Sequence, residues 1–325
     1  MIIKNPYVGI ILFVVTPFVA SAQFHVPEPV ILAGAGSFSP ADSISNRLDP
    51  NTTDSLYAGV GSLAIDSLGS SLLGSGVAIS PWHVLTAGHN VDTNDDGAVD
   101  PDWSGSFQLN FGSSLSHLIP IESATLAPTF TGFLNSSVND DLAVLNLAQR
   151  LPDGVPYYNM WNEIIEMGLQ FSMVGYGQSG DGVTGYTIAA DGGLKRVGGN
   201  RVDSFWGDDD GGPLDEIYIY DFDAPETFDL VDGTIGNLEE SLIGQGDSGS
   251  PAFIESDGQL YIVGINTFTM GAGNGRFGDQ GGGVLIYPYQ GWIASITAVP
   301  EPSSTGLILG LVSMGLGVMR KRRRD

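Results

Sequence analysis

Gly244-Gln245-Gly246-Asp247-Ser248-Gly249-Ser250-Pro251 is the stretch from which this 325-residue chain is best read. Glycines on both sides of a serine allow a tight loop with inward-pointing amides, because glycine reaches conformations that a β-carbon forbids. A serine presented in this way suits nucleophilic attack, and the N–H groups of Gly246 and Ser248 would face the oxyanion that such attack develops. A serine nucleophile needs a base, and the base needs a partner that fixes its tautomer. Two further segments offer these groups. Val84-Leu85-Thr86-Ala87-Gly88-His89 is an apolar strand ending in small residues and a histidine. Asn139-Asp140-Asp141-Leu142-Ala143-Val144-Leu145 leads an aspartate directly into an apolar strand, where a partly buried carboxylate requires a partner. On its own segment Asp141 reads better as a turn cap; His89 supplies the other use for it. The remaining histidines, His25, His83 and His117, have no comparable setting and read as structural or exposed.

Together the three segments resemble the trypsin-like (chymotrypsin-type) serine peptidases. Thr-Ala-Gly-His is the histidine motif, Asp-Leu-Ala-Val-Leu the aspartate motif and Gly-Asp-Ser-Gly-Ser-Pro the serine motif. The order His, Asp, Ser is that of chymotrypsin and differs from the orders in subtilisins and α/β-hydrolases. Val174-Gly175-Tyr176-Gly177 resembles the family's Gly-Trp-Gly strand, and Val263–Phe268 the strand along the substrate cleft. The resemblance covers roughly residues 52–298. It implies an all-β fold of two six-stranded antiparallel β-barrels with the site in the cleft between them. His89 and Asp141 then come from the first barrel, and Ser248 from the second. It also implies that Thr267 and Phe268 bind the substrate backbone, that Gly283 lies in the last wall of the specificity pocket, and that Leu242 is the pocket floor.

The residues support a β fold independently. Short apolar runs at Tyr57–Ile65, Ser75–Ser80, Phe107–Phe111, Leu142–Leu147, Phe171–Tyr176, Ile217–Tyr220, Leu260–Phe268 and Val284–Tyr287 are bounded by Gly, Ser, Asp and Pro clusters. Helical spacing occurs once, at Tyr289–Ile296, and predicts a short C-terminal helix. Hydrophobic residues make up 42% and charged ones 15%, with 46 glycines, which suits many strands joined by tight turns. There is no cysteine, so an exported form has no disulfide staples.

Charge excludes one class of partner. Between Gln23 and Pro302 only six residues are basic (Arg47, Arg150, Lys195, Arg196, Arg201, Arg276) against 36 acidic ones, a formal charge of −30. Such a field repels nucleic acid and attracts cations.

Both ends read as addresses. Lys4, an apolar run from Val8 to Ala20 and Ala20-Ser21-Ala22 have the form of a secretory signal peptide over residues 1–22. Residues 23–51 form an irregular arm rich in Pro, Ser and Asp. Residues 52–298 are the peptidase domain, with the first barrel at about 52–150 and the second at about 160–298. Residues 299–325 hold Val299-Pro300-Glu301-Pro302, an apolar run from Gly306 to Met319, and five basic residues from Arg320 to Arg324. This resembles the PEP-CTERM sorting signal of Gram-negative bacteria, which implies an exosortase-type processing enzyme and delivery to the envelope or extracellular matrix. Before any cleavage the segment has the physics of a C-terminal membrane anchor and would insert transiently.

Two features depart from the family. Leu242 is apolar where trypsin-type enzymes place an aspartate for Lys or Arg, and Asn266 stands where glutamate-specific relatives use a histidine. An apolar P1 preference is expected. Asp247 lacks its usual partner, because no basic residue followed by Ile-Val-Gly-Gly is present and Arg47-Leu48-Asp49-Pro50 is a poor activation sequence.

Just after His89, Asp92, Asn94, Asp96, Gly97 and Asp100 have most of the spacing of an EF-hand-type calcium loop. The usual glutamate at position 12 is replaced by Trp103. Either a structural Ca²⁺ or a solvated acidic turn fits; the chemistry itself requires no cofactor. The expected activity is a secreted serine endopeptidase acting on protein or peptide substrates. The alternative is an inactive homologue serving as a calcium-binding matrix or surface protein.

Overall fold

The computed structural model describes residues 48–49, 54–111, 114–133, 138–223 and 240–298. The expected signal peptide and sorting segment, and nearly all of the arm, lie outside them. Among the described residues no helix is long and apolar enough to cross a membrane.

Six strands form the first barrel: β1 (Val60–Ser67), β2 (Ser70–Ser80), β3 (His83–Thr86), β4 (Ser104–Phe111), β5 (Ser114–Leu126) and β6 (Ala143–Leu147). They close in the order β1-β2-β3-β6-β5-β4, with every neighbour antiparallel. The β1–β2 hairpin turns on Leu68 and Gly69, both at positive φ (50° and 76°), as a tight two-residue turn requires. Inward-facing Leu63, Ile65, Val84, Phe107, Leu109 and Leu145 fill the barrel.

Ten strands follow: β7 (Asn159–Met160), β8 (Gln170–Gly175), β9 (Ser179–Asp181), β10 (Gly185–Ile188), β11 (Arg196–Arg201), β12 (Ser204–Gly207), β13 (Asp215–Asp221), β14 (Pro251–Ser256), β15 (Gln259–Met270) and β16 (Gln280–Leu285). The second sheet runs β11-β8-β14-β15-β16-β13-β12, with β7 added parallel to β15, while β9 and β10 pair separately. The two ends of that path, β11 and β12, are a single bent strand interrupted only by Val202-Asp203. Val202 N–H bonds to Leu169 O on one side and Asp203 N–H to Ile219 O on the other, so the bend stays tied to both neighbours. Chain continuity therefore closes a six-stranded circuit, the barrel that the sequence predicts.

The barrels share a core. Val60, Val77, Leu85 and Val144 from the first pack in one cluster with Val174, Tyr176, Phe253, Ile265 and Val284 from the second. Phe253 sits among Tyr57 (ring centroids 6.0 Å apart) and Tyr158 (4.7 Å). Truncating so buried a ring to alanine costs about 3–5 kcal/mol. The chain ends in α1 (Gln290–Thr297), which buries Ile293 and lays Trp292 and Ile296 against the shared core. The arm is ordered where it is described: Leu48 forms an antiparallel bridge with Arg196.

Candidate active site

His89 lies on a single helical turn, Gly88–Asn90, directly after β3. Asp141 lies just before β6, the strand that pairs with β3, so the ladder Val84↔Leu145 to Thr86↔Ala143 brings the two segments side by side. Asp141 is fully buried, and both of its oxygens are used. Oδ1 accepts the His89 backbone N–H at 2.8 Å, and Oδ2 lies 2.7 Å from the imidazole Nδ1. With Nδ1 donating to the carboxylate, Nε2 is left as the basic nitrogen. Gly88 permits the approach, because a β-carbon there would stand 3.0 Å from Asp141 Oδ1. Phe133 covers the imidazole at a centroid distance of 4.8 Å.

The preceding residue sets the aspartate's direction. Asp140 adopts φ 60°, and its Oδ1 accepts bonds from Thr129 Oγ1 (2.6 Å) and Tyr289 Oη (2.9 Å). Asn139 Nδ2 donates to Glu216 Oε2 at 2.9 Å, tying this loop to β13 of the second barrel. Burial raises the Asp140 carboxyl above its ordinary range. Burial likewise pushes Glu216 up to about 7, with the charge of Asp140 adding to it and the Asn139 bond opposing it.

The serine loop is built as its glycines require. Gly246 and Gly249 take φ of 96° and 87°. Asp247, fully buried, turns back into its own loop: Oδ1 accepts Gly177 N–H (2.7 Å) and Oδ2 accepts Gly244 N–H (3.0 Å). These amides are direct partners for the carboxylate. The amides of Asp247, Gly249 and Ser250 bond to Gly244 O, Asn266 O and Asp247 O. Among the described residues, the N–H groups of Gly246 and Ser248 have no acceptor.

The first barrel holds this loop beside the histidine. Ser248 O accepts Ser75 N–H and Asn90 Nδ2, each at 2.9 Å, and Gly246 O accepts Ser75 Oγ at 2.7 Å. At Gly249 a β-carbon would meet Thr86 Oγ1 at 2.1 Å and Ser75 O at 2.3 Å, so the serine loop lies flat on the segment leading to His89. Ser248 keeps 7% exposure at this seam. No hydrogen bond joins its hydroxyl to His89 among the described residues. Such catalytic bonds are often long before substrate binds.

The residues expected around the substrate side chain are largely core. Leu242 is fully buried in one cluster with Tyr218 and Tyr220. Asn266 is equally buried, with Oδ1 accepting Tyr218 Oη (2.9 Å) and Nδ2 donating to Ser250 O and Oγ (3.1 Å each). Thr267 and Phe268 follow on β15, and the Phe268 ring stacks on the partly exposed Trp206 at 6.0 Å. Gly283 lies on β16 so close that a β-carbon would stand 2.0 Å from Ile265 O. Sequence reasoning passed over Trp206, Phe133 and the Tyr218/Tyr220 pair. The i, i+2 repeat of the tyrosines on one strand face was the available signal.

In the loop after His89, Asp92 is buried and accepts Asp96 N–H (3.1 Å) and Gly97 N–H (2.8 Å). Asn94 Oδ1 accepts Asp96 N–H, and Asp96 Oδ1 accepts Ala98 N–H, each at 3.1 Å. Asp95 and Gly97 sit at φ 65° and 80°. Asp100 Oδ2 takes Ser67, Thr93 Oγ1 and Thr93 N–H, while its buried Oδ1 has no hydrogen-bond partner. Burial alone would raise Asp100, but these bonds outweigh it and hold its carboxyl below the ordinary value. Carboxylates that converge within 4.8 Å of one another occur elsewhere, in the sets Asp140/Asp209/Glu216, Asp208/Asp209/Asp210 and Asp221/Asp223/Glu240.

Two barrels with this histidine, aspartate and serine loop at their seam have the trypsin-like fold. Residues 57–191 match the family model described as Trypsin, and residues 298–324 match the PEP-CTERM protein-sorting motif. The Trypsin match contains His89 and Asp141; Ser248 lies beyond it, where the fold carries the likeness. A solved structure titled as an HL collagenase aligns with a TM-score of 0.56 and 18% identity, covering 79% of this chain and 99% of that one. A search of curated proteins finds no match. The sorting motif marks an exported protein attached to the cell envelope of Gram-negative bacteria.

Proposed function

We propose that the protein is an active endopeptidase working through a His89–Asp141–Ser248 triad and an acyl-enzyme intermediate. Ser248 Oγ attacks the scissile carbonyl carbon while His89 Nε2 takes its proton. Asp141, buried and bonded to Nδ1, holds the tautomer and stabilises the imidazolium. The carbonyl oxygen becomes an oxyanion held by the N–H groups of Gly246 and Ser248. His89 then protonates the departing amine, and water, deprotonated by the same imidazole, hydrolyses the ester at Ser248. One observation carries this proposal: the buried Asp141 carboxylate grips both the backbone N–H and Nδ1 of His89, beside a serine loop that the first barrel holds through the Ser248 carbonyl.

An apolar P1 side chain is the expected preference. Leu242, packed in the core with Tyr218 and Tyr220, brings no charge to this region, and the Asn266 side chain is already engaged by Tyr218 and Ser250. The signal peptide, exosortase-type processing and final envelope or matrix location follow from the two terminal segments. A structural Ca²⁺ in the loop Asp92–Asp100 is supported by the buried Asp100 Oδ1, which has no hydrogen-bond partner. Against it, Asp92, Asp96 and Asp100 form no set converging within 4.8 Å among the described residues, and the Asp92 and Asp96 carboxylates already accept backbone amides.

Labelling of the purified mature protein with a fluorophosphonate tests the proposal. Wild type should label at Ser248 and Ser248→Ala should not. A folded wild-type protein that stays unlabelled would leave a non-catalytic matrix or surface role. A peptide-library digest showing cleavage after Arg or Lys would overturn the pocket assignment.

A further inference from the structure

Lys195 and Arg196 are nearly fully buried, although this acidic chain has few basic residues and the mechanism uses neither. Lys195 is 1% exposed. Its Nζ donates to Tyr57 O at 2.8 Å and lies 3.4 Å from Asp49 Oδ1. Asp49 belongs to the N-terminal arm; its side chain is 6% exposed, with Oδ2 accepting Ser55 Oγ at 2.6 Å. The arm also binds through its backbone: Asp49 N–H donates to Lys195 O at 3.0 Å, and Leu48 bridges Arg196. Arg196 faces the other way. Its Nη1 donates to Gly177 O at 2.7 Å, and its Nε has no acceptor among the described residues. Gly177 is the residue whose N–H holds Asp247 Oδ1, and the next residue, Gln178, donates its N–H to Gln245 O at 2.7 Å. The charges of Asp247 and Asp191 favour the guanidinium against its burial.

A continuous set of contacts thus runs from Leu48–Asp49 through Lys195–Arg196 and Gly177 to Asp247, the neighbour of Ser248. We propose that Leu48–Asp49 is an intramolecular clasp that positions the nucleophile loop: docked on the start of β11, the arm neutralises Lys195 and holds Arg196 against Gly177, which fixes Asp247. Asp49, Lys195 and Arg196 are positioning residues, and none touches substrate. The clasp rests on Ser248 being the nucleophile, and it makes an intact, docked arm a condition of activity. An unpaired ammonium left in that site is strongly unfavourable, whereas replacing both charges by apolar groups is tolerated.

The test compares wild type, Asp49→Asn and the double variant Asp49→Leu/Lys195→Met in the full mature chain, well below their melting temperatures. Asp49→Asn should lower kcat and the fluorophosphonate labelling rate by roughly 10²-fold, the scale of an ångström-level misplacement, with KM little changed. Amide exchange should accelerate over residues 176–178 and 244–248. The double variant should recover most of the labelling rate. A purely structural role would lower the melting temperature of Asp49→Asn while leaving kcat and the exchange of residues 244–248 as in wild type; that result overturns the clasp. If Asp49→Asn does not fold, the double variant decides, since a folded double variant with wild-type exchange and labelling supports the clasp and one with a loosened loop refutes it. An unlabelled wild type would instead refute catalysis, while the exchange measurement would still report on the clasp.

Discussion

Glu216 offers a stability test with a definite sign. Its carboxyl is buried at the barrel seam, faces Asp140 and accepts Asn139 Nδ2, and its folded pKa stands at about 7 against an ordinary 4.5. The folded state therefore holds this proton more tightly than the unfolded chain. The associated stability is fully present below pH 4.5 and is lost as pH rises towards 7. A shift of this size corresponds to about 3 kcal/mol at most, and solvent screening at the seam reduces it to about 1–2 kcal/mol. Glu216→Gln keeps an acceptor oxygen for Asn139 and removes the titration. Urea unfolding of both proteins should give similar stabilities at pH 5 and a variant more stable by about 1–2 kcal/mol at pH 8. A stability difference that stays constant between the two pH values would refute the assignment of this proton to Glu216.

Three further outcomes are expected. Asp141→Asn should lower kcat by roughly 10⁴-fold, because the amide favours the wrong imidazole tautomer; steady-state kinetics on a peptide substrate with unchanged circular dichroism checks it. Gly175→Ala places a β-carbon 2.1 Å from Asp247 Oδ1, so it should destabilise the fold by about 1–3 kcal/mol and slow labelling of Ser248, as read by denaturation and probe kinetics. Millimolar Ca²⁺ should raise the melting temperature of wild type but not of Asp92→Ala, and a wild-type value unmoved by either Ca²⁺ or EDTA would count against the loop.

The segments of the proposed site were legible because each depends on residues that few alternatives can replace. Gly246 and Gly249 require positive φ, and Gly88 and Gly249 allow backbone approaches that a β-carbon would block. The C-terminal helix was legible from spacing. β11 was not legible. Arg196-Val197-Gly198-Gly199-Asn200-Arg201 has neither an apolar run nor an alternating hydrophobic pattern. Arg196 is buried only because Gly177 and the arm, distant in sequence, meet it there. Phe133 is equally hidden, since its contact with His89 spans two connections of the first barrel. Asp247 posed a question that sequence could not resolve, because its partners are backbone amides of Gly177 and Gly244 and carry no side-chain signature.

Ser248 belongs to the second barrel, yet its carbonyl hangs from Ser75 and Asn90 of the first. A nascent or half-folded chain consequently lacks any seat for its own nucleophile. Any hydrolysis at this seam would therefore require both barrels folded against each other. Each half expressed alone should be harmless, and a split version would report reassembly by the return of its activity.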